Sequence, residues 1–175
     1  MLDFAGPFEV FGVTGKRENA SPFHVVTVAE RPGVVRARNG LAVTPTHAFA
    51  DCPEPDVLVV PGGYGTRREM HNERVVDWIR AMAKGAEVTL SVCTGALLLA
   101  RAGLLDGLEV TTHHGALDLL AATAPRAAVR ADRRFIDNGR IVTSAGISAG
   151  IDAALHVVAR LLGQSQARET ATYME

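Results

Sequence analysis

The sequence predicts an α/β domain built on a mainly parallel sheet with helices on both faces. Short apolar runs alternate with longer segments of helical period. The best of those runs, Val57–Val60, is unbroken and β-branched, as in a strand covered on both sides, and it stops sharply at Pro61-Gly62-Gly63.

The elements follow in order along the chain. Leu2-Asp3-Phe4 and the Gly6-Pro7 break read as the sequel to an element preceding Met1. A strand is expected at His24–Ala29, and Leu41–Thr44 reads as an edge strand or as one arm of a hairpin starting at Val34. After Val57–Val60, a helix at Asn72–Lys84 carries Val75, Val76, Ile79 and Met82 on one face and stops at Gly85. The strand Glu87–Val92 runs directly into a helix at Thr94–Ala102, closed by Gly103. A strand at Glu109–Thr112 and a helix at Ala116–Ala124 come next. Arg134–Ile136 and Ile141–Ser144 flank Asp137-Asn138-Gly139, whose Asn and Gly tolerate the positive φ of a hairpin turn. A helix at Ser148–Leu162 ends at Gly163, and the chain stops at Glu175 inside what reads as a further helix. With no internal repeat or low-complexity tract, residues 1–175 read as one domain.

Composition narrows the function classes. Eighteen Lys plus Arg against nineteen Asp plus Glu leave a formal charge of −1, so the electrostatic footprint of a nucleic-acid or anionic-membrane binder is missing. No apolar run approaches the roughly 20 residues of a membrane span, and no leader-like segment opens the chain, which points to a cytoplasmic protein. Cys52 and Cys93 make no disulfide framework and lack metal-type spacing, and no two histidines sit at ligand spacing with a carboxylate. Neither a metal nor a cofactor is expected.

The chemistry is expected at Cys93. A buried strand meets an apolar helix there, with small residues, Ser91 and Gly95, two places to either side. This is the layout of a nucleophile elbow with sulfur in place of a serine oxygen. A helix N-terminus favours the thiolate, so a lowered thiol pKa is expected. The loop Gly62-Gly63-Tyr64-Gly65 falls on the same carboxyl edge of the sheet, where its backbone N–H groups are placed to meet developing negative charge. Cys52, between Asp51 and Pro53, reads as a bystander. His113 and His114 follow a strand at that edge and offer a Cys–His pair as an alternative, whereas His156 shares a helix face with Asp152 and reads as structural.

Taken together, Leu2-Asp3-Phe4-Ala5-Gly6-Pro7, Pro61-Gly62-Gly63, Ser91-Val92-Cys93-Thr94-Gly95-Ala96, Gly103-Leu104-Leu105-Asp106-Gly107, Thr111-Thr112-His113 and the run Thr143 to Asp152 resemble the DJ-1/PfpI superfamily, the group with class I glutamine amidotransferase-like domains. Cys-Thr-Gly in place of Cys-His-Gly is similar to isocyanide (isonitrile) hydratases and to the sensor domains of AraC-type transcription regulators. The resemblance implies a flavodoxin-like three-layer sandwich, usually a homodimer. It implies Cys93 as nucleophile, Asp3 as its acidic partner, Thr94 and Gly63 as backbone donors to the substrate site beside Gly62, and the Gly146-Ile147 turn close to the sulfur. Relatives carry an apolar strand immediately before the Leu-Asp motif, so such a strand is expected upstream of Met1. The implied reaction is hydration of an isocyanide to an N-substituted formamide, a lyase activity on a small neutral substrate. The alternatives are the sensor domain of an AraC-type regulator, which carries a helix-turn-helix region, and a redox-sensing stress protein whose cysteine is oxidised.

Overall fold

A computed structural model describes residues 1–175. Helix α1 spans Leu2–Val13, so Gly6-Pro7 is not the break expected from the sequence. Pro7 denies the helix one backbone bond, but Gly6 lets the helix lie against Ile151, where a Cβ would stand 2.9 Å from Cγ1. Buried Val10 and Phe11 then hold the helix by packing where local propensity would not.

The next strands are short. β1 (Val28–Ala29) replaces the longer His24–Ala29 expected, and Thr27 and Thr46 lock its start by donating each backbone N–H to the other's hydroxyl at 3.0–3.1 Å. β2 (Val35–Arg36) and β3 (Ala42–Val43) are antiparallel, forming the hairpin that begins near Val34. β4 (His47–Ala48) pairs in parallel with β1, and this ladder is not hydrogen-bonded to the central sheet.

The centre is then assembled. β5 (Val57–Val60) leads through the glycine loop into the single turn α2 (Thr66–Glu69) and the amphipathic α3 (Glu73–Gly85). β6 (Val88–Val92) is buried along its whole length and is followed by α4 (Ala96–Arg101). The pair β7 (Glu109–Val110) and β8 (Ala128–Val129) flanks α5 (Leu117–Thr123). β9 (Phe135–Asp137) and β10 (Ile141–Ser144) form the expected hairpin, with Gly139 at φ 84°. α6 (Ala149–Leu162) and α7 (Gln164–Tyr173) close the chain, the last helix ending short of Glu175.

The central sheet runs β5-β6-β10-β9, parallel except for its last pair. Side chains alternate across it. Val88, Leu90, Val92 and Val142 join Val10, Phe11, Ala153, Val157 and Val158 of α1 and α6 in one apolar layer. Leu58 and Val60 face the other way, onto Val76, Ile79, Leu97, Leu99 and Leu120 of α3, α4 and α5. The result is a three-layer α/β sandwich of the flavodoxin type, as the family resemblance implies. No helix is long and apolar enough to cross a membrane.

One polar contact differs from expectation. His156 meets Asp137 at 2.7 Å rather than Asp152, which pairs instead with Arg134. The β9 end lies beside α6, so tertiary partners displace the i, i+4 neighbour.

Because Leu90 is fully buried between the layers, Leu90→Ala is expected to cost about 2–5 kcal/mol in urea unfolding, and the partly exposed Leu119→Ala under about 1 kcal/mol.

Candidate active site

The geometry begins with the backbone at Cys93. β6 stays extended through Val92, Cys93 adopts φ 57°, and a 3-10 turn over Cys93–Gly95 leads into α4. A positive φ at a residue with a Cβ costs of order 1–3 kcal/mol and persists only where the surroundings over-determine it. Here they do. The Cys93 N–H donates to the Ala145 carbonyl at 3.0 Å, and the Cys93 carbonyl accepts from the Thr112 hydroxyl at 2.7 Å. Two glycines give the bend its room. A Cβ on Gly62 would stand 2.8 Å from the Cys93 Cβ, and one on Gly95 would run into the Val60 carbonyl oxygen.

Asp3 reaches the same place from the first turn of α1 and is 5% exposed. Burial pushes the Cys93 thiol above the ordinary cysteine range, and the Asp3 carboxylate adds to the rise through its charge and by accepting a hydrogen bond from the thiol. The Thr94 backbone N–H and hydroxyl pull in the opposite direction without prevailing. The expected lowering of this pKa is therefore corrected. α4 has only six residues and starts beyond a 3-10 turn, so its dipole is too small to offset desolvation and a neighbouring negative charge.

The glycine loop also departs from expectation. The Gly63 N–H does not point into open space: it donates to the Thr94 hydroxyl oxygen at 2.9 Å. Thr94 Oγ1 also lies 3.1 Å from the Gly63 carbonyl and 2.9 Å from Thr66 Oγ1. Of the two expected backbone donors, the Gly63 N–H is thus already taken within the protein, while Gly62 packs against Thr94 N and the Cys93 Cβ.

Gly146 and Ile147 reach the elbow through their neighbour. They follow Ala145, the residue bonded to the Cys93 N–H, and Ile147 holds φ 50° with an exposed side chain. Gly146 supports the His113 ring, since a Cβ there would stand 2.6 Å from Cδ2. The His113 Nδ1 accepts the Gly115 N–H at 3.1 Å, which puts the proton of the neutral ring on Nε2. His114 stacks beside it with ring centroids 4.2 Å apart. Cys52 lies in a loop and bonds only the Pro53 carbonyl, at 3.4 Å.

Two functional-looking residues escape the motif reading. Thr112 anchors the Cys93 carbonyl, and Thr66 bonds both the Gly63 carbonyl and Thr94. Threonine at a strand end or a helix start is a common signal, so neither position stands out without its partners in view.

Residues 2–160 match the model of the DJ-1/PfpI family, and the chain belongs to that family. It is 38% identical over 167 residues to the isonitrile hydratase of Pseudomonas putida, covering 95% of this chain and 69% of that protein. It is 36% identical over 130 residues to the HTH-type transcriptional regulator GbdR of Pseudomonas aeruginosa, a stretch that spans 74% of this chain but only 35% of the regulator. Among solved structures, a ThiJ/PfpI family protein from Pseudomonas syringae superposes with a TM-score of 0.88 at 31% identity, covering 99% of this chain and 69% of that one.

Removing the Asp3 charge removes one cause of the raised thiol pKa. In Asp3→Asn, the pH midpoint for iodoacetamide alkylation of Cys93, read by peptide mapping so that Cys52 is counted separately, is expected to fall below that of wild type. A midpoint that stays or rises would show that the carboxylate does not act on the thiol.

Proposed function

We propose that this DJ-1/PfpI family member hydrates a small neutral isocyanide to an N-substituted formamide through a covalent thioimidate on Cys93. The observation that carries the reading is the buried Asp3 carboxylate facing a neutral Cys93 thiol. An isocyanide carbon must gain both a nucleophile and a proton, and this pair offers the two from one hydrogen bond. Asp3 takes the thiol proton as sulfur bonds to the terminal carbon, then delivers it to that same carbon, leaving a thioimidate and a carboxylate again. Asp3 next takes a proton from water as the oxygen adds to the carbon and passes it to the imine nitrogen. Collapse of the tetrahedral adduct breaks the carbon–sulfur bond as the adduct hydroxyl becomes the carbonyl, and Asp3 carries that hydroxyl proton to the departing thiolate, releasing the formamide.

The Thr94 N–H and hydroxyl stabilise charge on sulfur while it is being transferred. Gly62 and Gly63 on one side and Gly146 and Ile147 on the other bound the substrate, and the apolar Ile147 side chain suits a neutral organic group. The reading includes a homodimer, for which exposed Leu2 and Phe8 on α1 offer apolar surface. The similarity to isonitrile hydratase supports the same reaction class.

The likeness to GbdR favours a second reading, a sensor domain that binds such a small molecule without turning it over. The redox-sensor expectation is weakened by the raised thiol pKa, because oxidation follows thiolate character.

Loss of p-nitrophenyl isocyanide, followed by absorbance, separates these. Wild type is expected to turn over, Cys93→Ala to lose at least about 1,000-fold in kcat/KM, and Asp3→Asn about 100-fold or more. No turnover by wild type, with a ligand-induced rise in melting temperature, supports the sensor reading; equal turnover by Cys93→Ala overturns the mechanism.

A further inference from the structure

The glycine loop carries an aromatic ring that the reaction at Cys93 does not use. Tyr64 is 68% exposed, and its chain neighbours tie it to the elbow: the Gly63 N–H is bonded to Thr94, and Gly62 packs against the Cys93 Cβ. Two guanidinium groups from separate elements converge on this ring. The Arg38 Cζ lies 4.6 Å from the ring centroid and the Arg67 Cζ 5.7 Å, both within cation–π range. The two cations are therefore no more than about 10 Å apart.

Both are held at their backbones. Arg38 opens the turn Arg38–Gly40 at the tip of the β2–β3 hairpin, with Asn39 at φ 67° and Gly40 at φ 85°. The Ala37 N–H closes that tip by donating to the Leu41 carbonyl at 2.8 Å. Arg67 follows Thr66, whose hydroxyl lies 2.7 Å from the Gly63 carbonyl and 2.9 Å from Thr94 Oγ1. Neither Arg38 nor Arg67 has a carboxylate partner or a side-chain hydrogen bond, whereas Arg68 pairs with Glu69 and Arg74 with Glu30. Those two acids are already engaged: Glu69 also accepts from Asn72 at 3.0 Å, and Glu30 from Asn72 at 2.9 Å.

A cation–π contact gives none of a guanidinium's five N–H donors an oxygen acceptor. The planar fork they form matches a carboxylate. The open part of the Tyr64 ring adds apolar surface, which suits the hydrocarbon body of an organic acid and which an inorganic anion would leave unused.

We propose that Arg38, Arg67 and Tyr64 form a binding site for a small organic carboxylate at the rim of the glycine loop. The guanidinium groups take the carboxylate and the ring takes the hydrocarbon. The carboxylate belongs either to a separate acid or to the far end of a substrate whose isocyanide end is the neutral group delivered to Cys93. The site stands apart from the hydratase reading; only the choice between these two sources rests on it.

The probe is sodium benzoate, titrated at constant ionic strength while the NMR signals of the Arg38 and Arg67 Nε–H groups and the Tyr64 amide are followed. Saturating shifts with a midpoint of about 1–20 mM are expected, and none from benzamide, which has the same size without the charge. Arg38→Gln and Arg67→Gln should each raise the midpoint at least about fivefold, while Arg168→Gln on α7 leaves it unchanged. No saturation below about 50 mM overturns the proposal, as do equal shifts from benzamide or inorganic phosphate, or an unchanged midpoint in either Arg38→Gln or Arg67→Gln. Formamide production then identifies the source. A substrate-borne carboxylate predicts that the double variant loses about tenfold in kcat/KM with 4-isocyanobenzoate and less than about twofold with phenyl isocyanide. A separate acid predicts less than about twofold for both. Absence of turnover of either compound by wild type would sink the hydratase reading and leave the benzoate titration to decide the site.

Discussion

The left-handed backbone at Cys93 is the constraint on which the site depends. A chain that leaves β6 at φ 57° turns through Cys93–Gly95 into α4 and sets the cysteine at the carboxyl end of the strand. That geometry is retained because the neighbouring N–H and carbonyl are both held, by Ala145 and Thr112, and because Gly62 and Gly95 leave no side chain in the way. The strain is local, but its anchors come from distant segments: the β5 loop, the β7 end and the turn after β10. Each wall of the site is thus also a strut of the bend.

The second consequence is electrostatic. A bend buried under α1 brings the sulfur beside Asp3, and the surroundings favour the neutral thiol. In a dry site with a carboxylate as neighbour, the stable arrangement is one proton between two groups. This suits a reaction that moves a proton and a nucleophile to the same atom better than it suits a permanently ionised cysteine. Thr94, the residue that follows Cys93, is itself held by the Gly63 N–H and by Thr66.

Much of this was legible in the amino-acid sequence, and the limits have physical causes. Val57–Val60, the β6 strand and the Ile141–Ser144 hairpin arm announce themselves through continuous apolar character and turn chemistry, which local physics controls. The elbow was visible because small residues flank a cysteine between strand and helix. α1 was not, because Gly6 and Pro7 are breakers by propensity and become helical only through the close approach to Ile151. The β1 strand was overextended because Thr27 and Thr46 substitute side-chain bonds for a ladder. The sign of the Cys93 shift depended on burial and on Asp3, neither of which a helix-dipole argument contains. Gly63 and Thr66 were misplaced or missed for a related reason: which donor meets which acceptor is settled by contacts across more than twenty residues of chain.

The central claim is that the strained cysteine forms the covalent bond to substrate. Rapid acid quenching of the protein during turnover of p-nitrophenyl isocyanide, followed by intact-mass measurement and peptide mapping, reads this directly. A mass gain of one substrate molecule located on Cys93, appearing and decaying with turnover, is the expected result. Formamide production with no adduct on Cys93 at any quench time, or with the adduct on another residue, would contradict it.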